Sequence, residues 1–167
     1  IVSRKMRCTS TNSIFYCCDS MKMKFLLPLL FFFVTGVSES IAQPDNGIKL
    51  TVTNLRNDKG FVLVSLFKEG QGFPDKAAQA FRTDKVAIFN KKAVLIFPDL
   101  PAGSYAISIL HDENNDQQLN KNAFGLPKEG YGFSNNVIGA FGPPSYKRAS
   151  FIHKAGALMD VPIKTRY

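Results

Sequence analysis

Ser104-Tyr-Ala-Ile-Ser-Ile-Leu110 is the stretch whose reading decides the fold. Its large apolar residues at 105, 107 and 109 alternate with smaller ones, the two-residue period of a strand that lays one face on a core. His111 continues that row, so its ring points with Tyr105, Ile107 and Ile109 as a core-facing histidine. Upstream, Ala93-Val-Leu-Ile-Phe97 has the same strand character. The connection Pro98-Asp-Leu-Pro-Ala-Gly103 carries the Pro and Gly of a turn, which predicts a hairpin.

Further out the pattern repeats. Ile48-Lys-Leu-Thr-Val52 alternates apolar with polar, and Phe61-Val-Leu-Val-Ser-Leu-Phe67 is a continuous β-branched and aromatic run. Asn57-Asp-Lys-Gly60 between them suits another hairpin, with Gly60 at positive φ. Residues 149–153 and 158–164 read as closing strands, Pro162 pushing the last toward a sheet edge. One short helix is predicted over 73–81, with Asp75 near its start and Ala78 and Phe81 on one side. The expected fold is an all-β antiparallel sandwich of about seven strands, Ig-like or transthyretin-like in class, with one short helix and one long ordered loop.

The N-terminal part reads differently. Lys22 and Lys24 precede an apolar run from Phe25 to Val34, and Ser40 and Ala42 are small residues placed before a cut, the layout of a secretory signal peptide over 21–42. The run is about half the ~20 residues a membrane-spanning helix needs. Residues 1–20 precede a start at Met21 or Met23 and read as translated upstream sequence. They hold Cys8, Cys17 and Cys18, the chain's three cysteines. A single domain is expected over 43–167, held by its hydrophobic core with no disulfide. The expected location is periplasmic or secreted, with no membrane insertion after cleavage following Ala42.

The formal charge of +8 falls to +5 once the first 42 residues are set aside, with sixteen basic against eleven acidic side chains left. The basic residues are scattered and lack the interleaved Arg and aromatic pattern of a nucleic-acid surface, so no nucleic-acid partner is expected. Residues 112–144 break the strand pattern. They are rich in Asn, Gly, Gln and Pro, yet carry Phe124, Tyr131, Phe133 and Phe141, too many aromatics for a disordered linker.

Two parts of this loop carry candidate chemistry. Asp112, Asn114 and Asp116 stand at alternate positions, with the carbonyl of Gln118 next in the series, the side-chain spacing that bends hard oxygens onto calcium. Gln117 stands where the turn glycine belongs and Ala123 where the closing carboxylate belongs, so the expected cofactor is none, or calcium held only in the ~10⁻⁴ to 10⁻³ M range. Asx turns are the competing explanation of the same residues. The second part, Gly125-Leu-Pro-Lys-Glu-Gly-Tyr-Gly-Phe-Ser-Asn-Asn136, has glycines flanking Tyr131 that let the backbone turn tightly and present aromatic rings. It makes Tyr131, Phe133 and Asn135 the candidate ligand-binding residues. No HExxH, nucleophile elbow, phosphate-binding loop or dinucleotide fingerprint occurs in the sequence.

The ordered series Asn54-Leu-Arg-Asn-Asp-Lys-Gly60, Phe73-Pro-Asp75, Leu100-Pro-Ala-Gly-Ser-Tyr105, His111-Asp-Glu-Asn114, Gly130-Tyr-Gly-Phe-Ser-Asn-Asn136 and Phe141-Gly-Pro-Pro-Ser145 resembles the bacterial family called domain of unknown function 2141. The resemblance covers nearly all of 43–167. It implies a small exported β-sandwich protein and brings no established activity. Family members often read closer to HDENGNGKLD, and this sequence departs from that string at Asn115, Gln117 and Asn120.

The expected function is therefore an exported, non-catalytic binding or interaction module, its surface built from loop 112–144 and its partner a small molecule, a glycan or a cell-envelope protein. Two alternatives stand beside it. One is a periplasmic or extracellular hydrolase on a small or carbohydrate substrate, with His111, Asp112 or Glu113 as acid or base. The other is a purely structural β-domain. The leader makes a direct prediction: N-terminal sequencing of the exported protein reads from Gln43, and protein kept in the membrane with 25–34 intact would refute it.

Overall fold

The computed structural model describes residues 44–139 and 142–167. The upstream segment 1–20, the leader 21–42 with its cleavage site, and Phe141 lie outside the described residues. Among the described residues eight strands follow one another: β1 (Gly47–Thr53), β2 (Phe61–Lys68), β3 (Arg82–Ala87), β4 (Ala93–Pro98), β5 (Gly103–Asp112), β6 (Gly130–Phe133), β7 (Phe151–His153) and β8 (Leu158–Lys164). They form a three-stranded sheet in the order β4-β1-β8 and a five-stranded sheet in the order β3-β2-β5-β6, with β7 also paired to β5. The fold is an all-β sandwich. It is antiparallel throughout except between β1 and β8, which run parallel with Leu50 opposite Val161.

The core lies where the two inner faces meet. Val62, Val64 and Leu66 of β2 and Tyr105, Ile107 and Ile109 of β5 face Ile48, Leu50 and Val52 of β1, Phe97 of β4, and Val161 and Ile163 of β8, all of them buried. Leu95 is half-buried and packs against this cluster. Each such side chain contributes about 1.5–3 kcal/mol by leaving water, which is how a cysteine-free sandwich holds together. Tyr105 buries its ring and donates its hydroxyl to the carbonyl of Pro101 at 2.9 Å, so no polar atom is stranded.

The two expected hairpins are instead crossings between sheets. β1 and β2, and likewise β4 and β5, belong to different sheets. The turn chemistry was read correctly, since Gly60 has φ +67 and a Cβ there would lie 1.8 Å from the carbonyl oxygen of Asp112. The pairing was not, because a turn residue fixes the local bend and not whether the next strand lies beside its predecessor or across the core from it. Two strands with one apolar face each can bury those faces by facing one another.

The expected helix over 73–81 is a single 3-10 turn at Ala77–Gln79, with no buried residue. A helix that short is stable only when packing supports it, and this one has no face to pack. Among the described residues the α-helix is instead α1 (Tyr146–Ala149), which buries Ala149. β3 and β6 were not expected. β3 reads Arg-Thr-Asp-Lys-Val-Ala, mostly exposed, and lies at the edge of its sheet, where charge guards against pairing with another chain. β6 was masked by its glycines.

Ile107 is fully buried, so Ile107→Ala should lower unfolding free energy by about 2–5 kcal/mol. Ile152→Ala, at a side chain 65% exposed, should stay within about 0.5 kcal/mol of the parent. Urea-unfolding midpoints of the two variants check both values.

Candidate functional site

The same alternation that fills the core gives β5 an outer row, and this row floors a concavity on the outer face of the five-stranded sheet. Ser108 and Leu110 point away from the core. The register sets Leu110 between Leu63 of β2 and Tyr131 of β6, and Ser108 between Ser65 and Phe133. Three loops stand around this floor and enclose a groove of about 600 Å³ whose lining is mostly apolar. Pro74 comes from the connection after β2, Leu119 and Leu126 from the loop between β5 and β6, and Ile138 and Pro143 from the segment after β6.

β6 carries its aromatics outward because its glycines face inward. The strand runs close over β8: a Cβ on Gly132 would lie 2.8 Å from Cγ2 of Ile163, and one on Gly130 would lie 2.5 Å from Cγ2 of Thr165. The glycines flanking Tyr131 therefore serve close approach of two strands and not the tight turn expected from sequence. At this edge the sheets meet through a reciprocal pair. Tyr131 donates its N–H to the carbonyl of Arg166 at 2.9 Å, and Arg166 returns the bond at 2.8 Å. Lys164 and Arg166 are thereby carried to the groove's β8 side, with Lys121 from the β5–β6 loop also on the lining. The aromatic floor is held by a tilted contact of Tyr131 with Phe133 and an edge contact of Phe133 with Phe73, each at 5.9 Å between ring centroids.

The loop over the groove is ordered by buried carboxylates. Asp112, fully buried, accepts the N–H groups of Asp116 at 3.2 Å and Gln117 at 3.0 Å. Glu129, also buried, accepts those of Glu113 at 3.1 Å and Asn120 at 3.0 Å. Asp116 accepts the N–H of Gln118 and the side-chain amides of Asn114 and Asn120, and these hydrogen bonds hold its carboxyl below the usual carboxylate range. Of the expected calcium set, Asp112 and Asn114 each turn Oδ1 onto the N–H of Asp116 at 3.2 Å, and the N–H of Gln118 bonds to Asp116 at 2.8 Å. Asp112 looks into the loop's backbone, and Asp116 meets amide donors where an ion would need further oxygens. Among the described residues no group of three or more His, Cys, Asp or Glu is placed to hold a metal ion. The arrangement is one of Asx turns around an anchored backbone.

His111 stands on the opposite face of β5, fully buried. Its Nε2 lies 2.9 Å from the carbonyl of Lys59, an acceptor, so Nε2 carries a hydrogen. Nδ1 then accepts from the hydroxyl of Tyr167 at 2.7 Å, and that hydroxyl accepts the N–H of Arg56 at 2.9 Å. Both ring nitrogens are engaged, and burial pushes the Tyr167 phenol up. Arg56 reaches around to Glu113, with Nε and Nη2 each 2.6 Å from Oε1, and lies 4.6 Å from the Tyr167 ring centroid. Burial disfavours ionised Glu113, but hydrogen bonds from Asn57 and Arg56 outweigh it and hold the carboxyl below its ordinary value. The candidate acid–base residues thus split. His111 faces the core, Asp112 holds a loop, and Glu113 closes a surface clamp.

The candidate binding residues split as well. Tyr131 and Phe133 line the groove, half-buried. Asn135 does not: its amide donates to the carbonyls of Ser150 at 2.9 Å and Arg148 at 3.3 Å, tying the end of β6 to α1. Sequence reasoning missed Leu63, Leu110, Lys164 and Arg166. A signal was present in the run Phe61 to Phe67, which is apolar on both faces where a strand with one wet face would alternate.

Against family models, residues 50–159 match the one described as "Uncharacterized protein conserved in bacteria (DUF2141)". No curated protein and no solved structure matches the chain. The matched span contains the β5–β6 loop and the aromatic floor, and stops before Lys164 and Arg166.

The clamp gives a pH prediction. A carboxyl whose folded pKa is depressed adds stability above its unfolded pKa, and that contribution is lost as pH falls through the folded value. Glu113→Gln should therefore destabilise the protein near neutral pH and converge with the parent in acid below the carboxylate range. Thermal melts of both proteins across that window check the convergence. A gap that stays constant with pH would assign the loss to shape and not charge.

Proposed function

We propose that this chain, which belongs to the bacterial family DUF2141, is an exported, non-catalytic binding module whose ligand lies in the groove over β2, β5 and β6. One observation carries the reading: the groove on the outer face of the five-stranded sheet has a mostly apolar lining and is framed by three loops whose described residues leave it open. Leu126 stays 61% exposed and Ile138 46% exposed beside a concavity of about 600 Å³. Ligand sites are concave, mostly apolar and of this size, with a few polar groups to fix orientation. A loop needed only for structure would collapse onto Leu63, Leu110 and Tyr131. Export rests on the leader over 21–42. Among the described residues no helix is long and apolar enough to cross a membrane.

Binding is better supported than hydrolysis. A general base needs a free nitrogen or oxygen within hydrogen-bond reach of its substrate. His111 has none left, Asp112 spends both oxygens on backbone N–H groups, and Glu113 is clamped by Arg56 and Asn57. The partner is a small molecule and not a long polymer, because the framing loops close the groove on several sides.

Fragment screening by NMR tests the assignment. Hits should perturb the amides of Leu63, Leu110, Tyr131 and Phe133. Tyr131→Ala should weaken those hits about tenfold or more while lowering the melting point by only a few degrees. Hits confined to another surface, or an absence of hits with the loop protected from exchange, would favour the purely structural domain.

A further inference from the structure

Resting on the groove assignment above, we infer that the ligand is a free, single-chain amphiphile with a carboxylate head, its apolar body on the Leu63–Leu110–Tyr131 floor and its head toward Lys164 and Arg166. The charge around the groove selects this class. Lys121, Lys164 and Arg166 lie on the lining against the single carboxylate of Asp75, so the site carries a positive excess. Among the described residues none of the three cations enters an ion pair. Elsewhere the chain does pair such groups: Arg56 is committed to Glu113 and Lys49 to Asp160.

The placement of charge follows from the strand register. The Tyr131–Arg166 pair extends the row Leu63–Leu110–Tyr131 by one residue, so an apolar row ends in a guanidinium. In the antiparallel sense of that bridge, Phe133 of the next row is followed by Lys164. The Leu63–Leu110–Tyr131 row therefore runs from apolar side chains to a cation, and the neighbouring row, Ser65–Ser108–Phe133, ends beside a second one, matching a molecule with a hydrocarbon body and an anionic end. A guanidinium offers a planar fork that fits a carboxylate with two parallel bonds, and the adjacent lysine adds a point charge. A neutral apolar ligand would leave three cations idle at the rim. A highly charged one would gain nothing from an apolar floor and would meet Asp75.

Titration with dodecanoate, below its micellar concentration, and with dodecanol, followed by calorimetry on the full folded domain, tests this. Dodecanoate should bind about tenfold more tightly than dodecanol, the scale of a few partly exposed ion pairs. Lys164→Gln with Arg166→Gln should remove that preference and leave dodecanol affinity unchanged, and added salt should weaken dodecanoate alone. Both side chains are exposed, so the double variant is expected to melt like the parent. Should it not fold, Lys121→Gln and the salt series decide in its place. Equal binding of the two compounds, or a preference that survives the substitutions, overturns the carboxylate inference and leaves the groove standing. Binding of neither, with Tyr131 and Phe133 amides unperturbed, overturns the inference together with the groove assignment beneath it.

Discussion

The alternation of side chains along β5 is the constraint on which the rest of this structure depends. The strand pairs with β2 from Tyr105 to Asp112 on one side, and with β7 and β6 on the other. Between those two partners its ladder is interrupted, and the gap is closed by Ser134, whose Oγ accepts the N–H of Ile107 at 2.9 Å and donates to the carbonyl of Ala149 at 2.6 Å. The strand is thus fixed in register from both edges. That matters because its two faces do different things. One row, Tyr105, Ile107, Ile109 and His111, completes the core, and the other, Ser108, Leu110 and Asp112, floors the groove and anchors its loop. A slip of one residue would exchange the rows, setting an aspartate among aliphatics and turning Ile109 out to solvent.

The polar loop above the groove is held by electrostatics of a different kind. Asp112 and Glu129 sit at the two ends of the β5–β6 connection, each buried, each accepting two backbone N–H groups. Hydrogen bonds to a charged acceptor contribute about 1.5–3 kcal/mol apiece, enough to offset much of the entropy lost in ordering a glycine- and asparagine-rich chain. The two carboxylates act as internal counterparts to loop N–H groups that have no sheet partner. An acidic, asparagine-rich string of this spacing also suits a cation-binding loop, since both arrangements need oxygens on a tightly turned backbone, and in this structure those oxygens meet backbone N–H groups.

Much of this was legible in the sequence, for reasons that differ by residue. The period-two runs containing Ile48 and Ile107 marked rows of the core because burial on one face leaves a direct mark on composition, and the continuous run containing Val64 marked a strand covered on both faces. Tyr131 and Phe133 stood out because aromatics in a glycine-rich loop need a reason to be there, and both lie on the groove's lining. The sheet assignments of β1 and β4 were not legible, since Gly60 and the Pro98 to Gly103 connection specify a bend and not the partner that follows it. β3 was hidden by its edge position, where charge is favoured, and β6 by Gly130 and Gly132, which face Ile163 and Thr165 across a distance that no single segment encodes. His111 was correctly placed facing the core, but the hydroxyl and carbonyl that engage its nitrogens come from Tyr167 and Lys59, both distant in sequence.

The parallel pairing of β1 with β8 has a consequence for how the molecule comes into being. β1 lies in the middle of the smaller sheet, yet one of its neighbours is separated from it by more than a hundred residues of chain. Closing so distant a contact is entropically slow, and folds rich in such contacts assemble late and cooperatively. While the chain emerges from its N-terminal side, β1 has β4 alone to pair with, and its other edge stays open to strands of neighbouring copies. β8 ends that exposure on arrival, and the same strand leads into Lys164 and Arg166. The cationic side of the groove is therefore completed only once β8 has paired with β1, after the strands that floor it have been made.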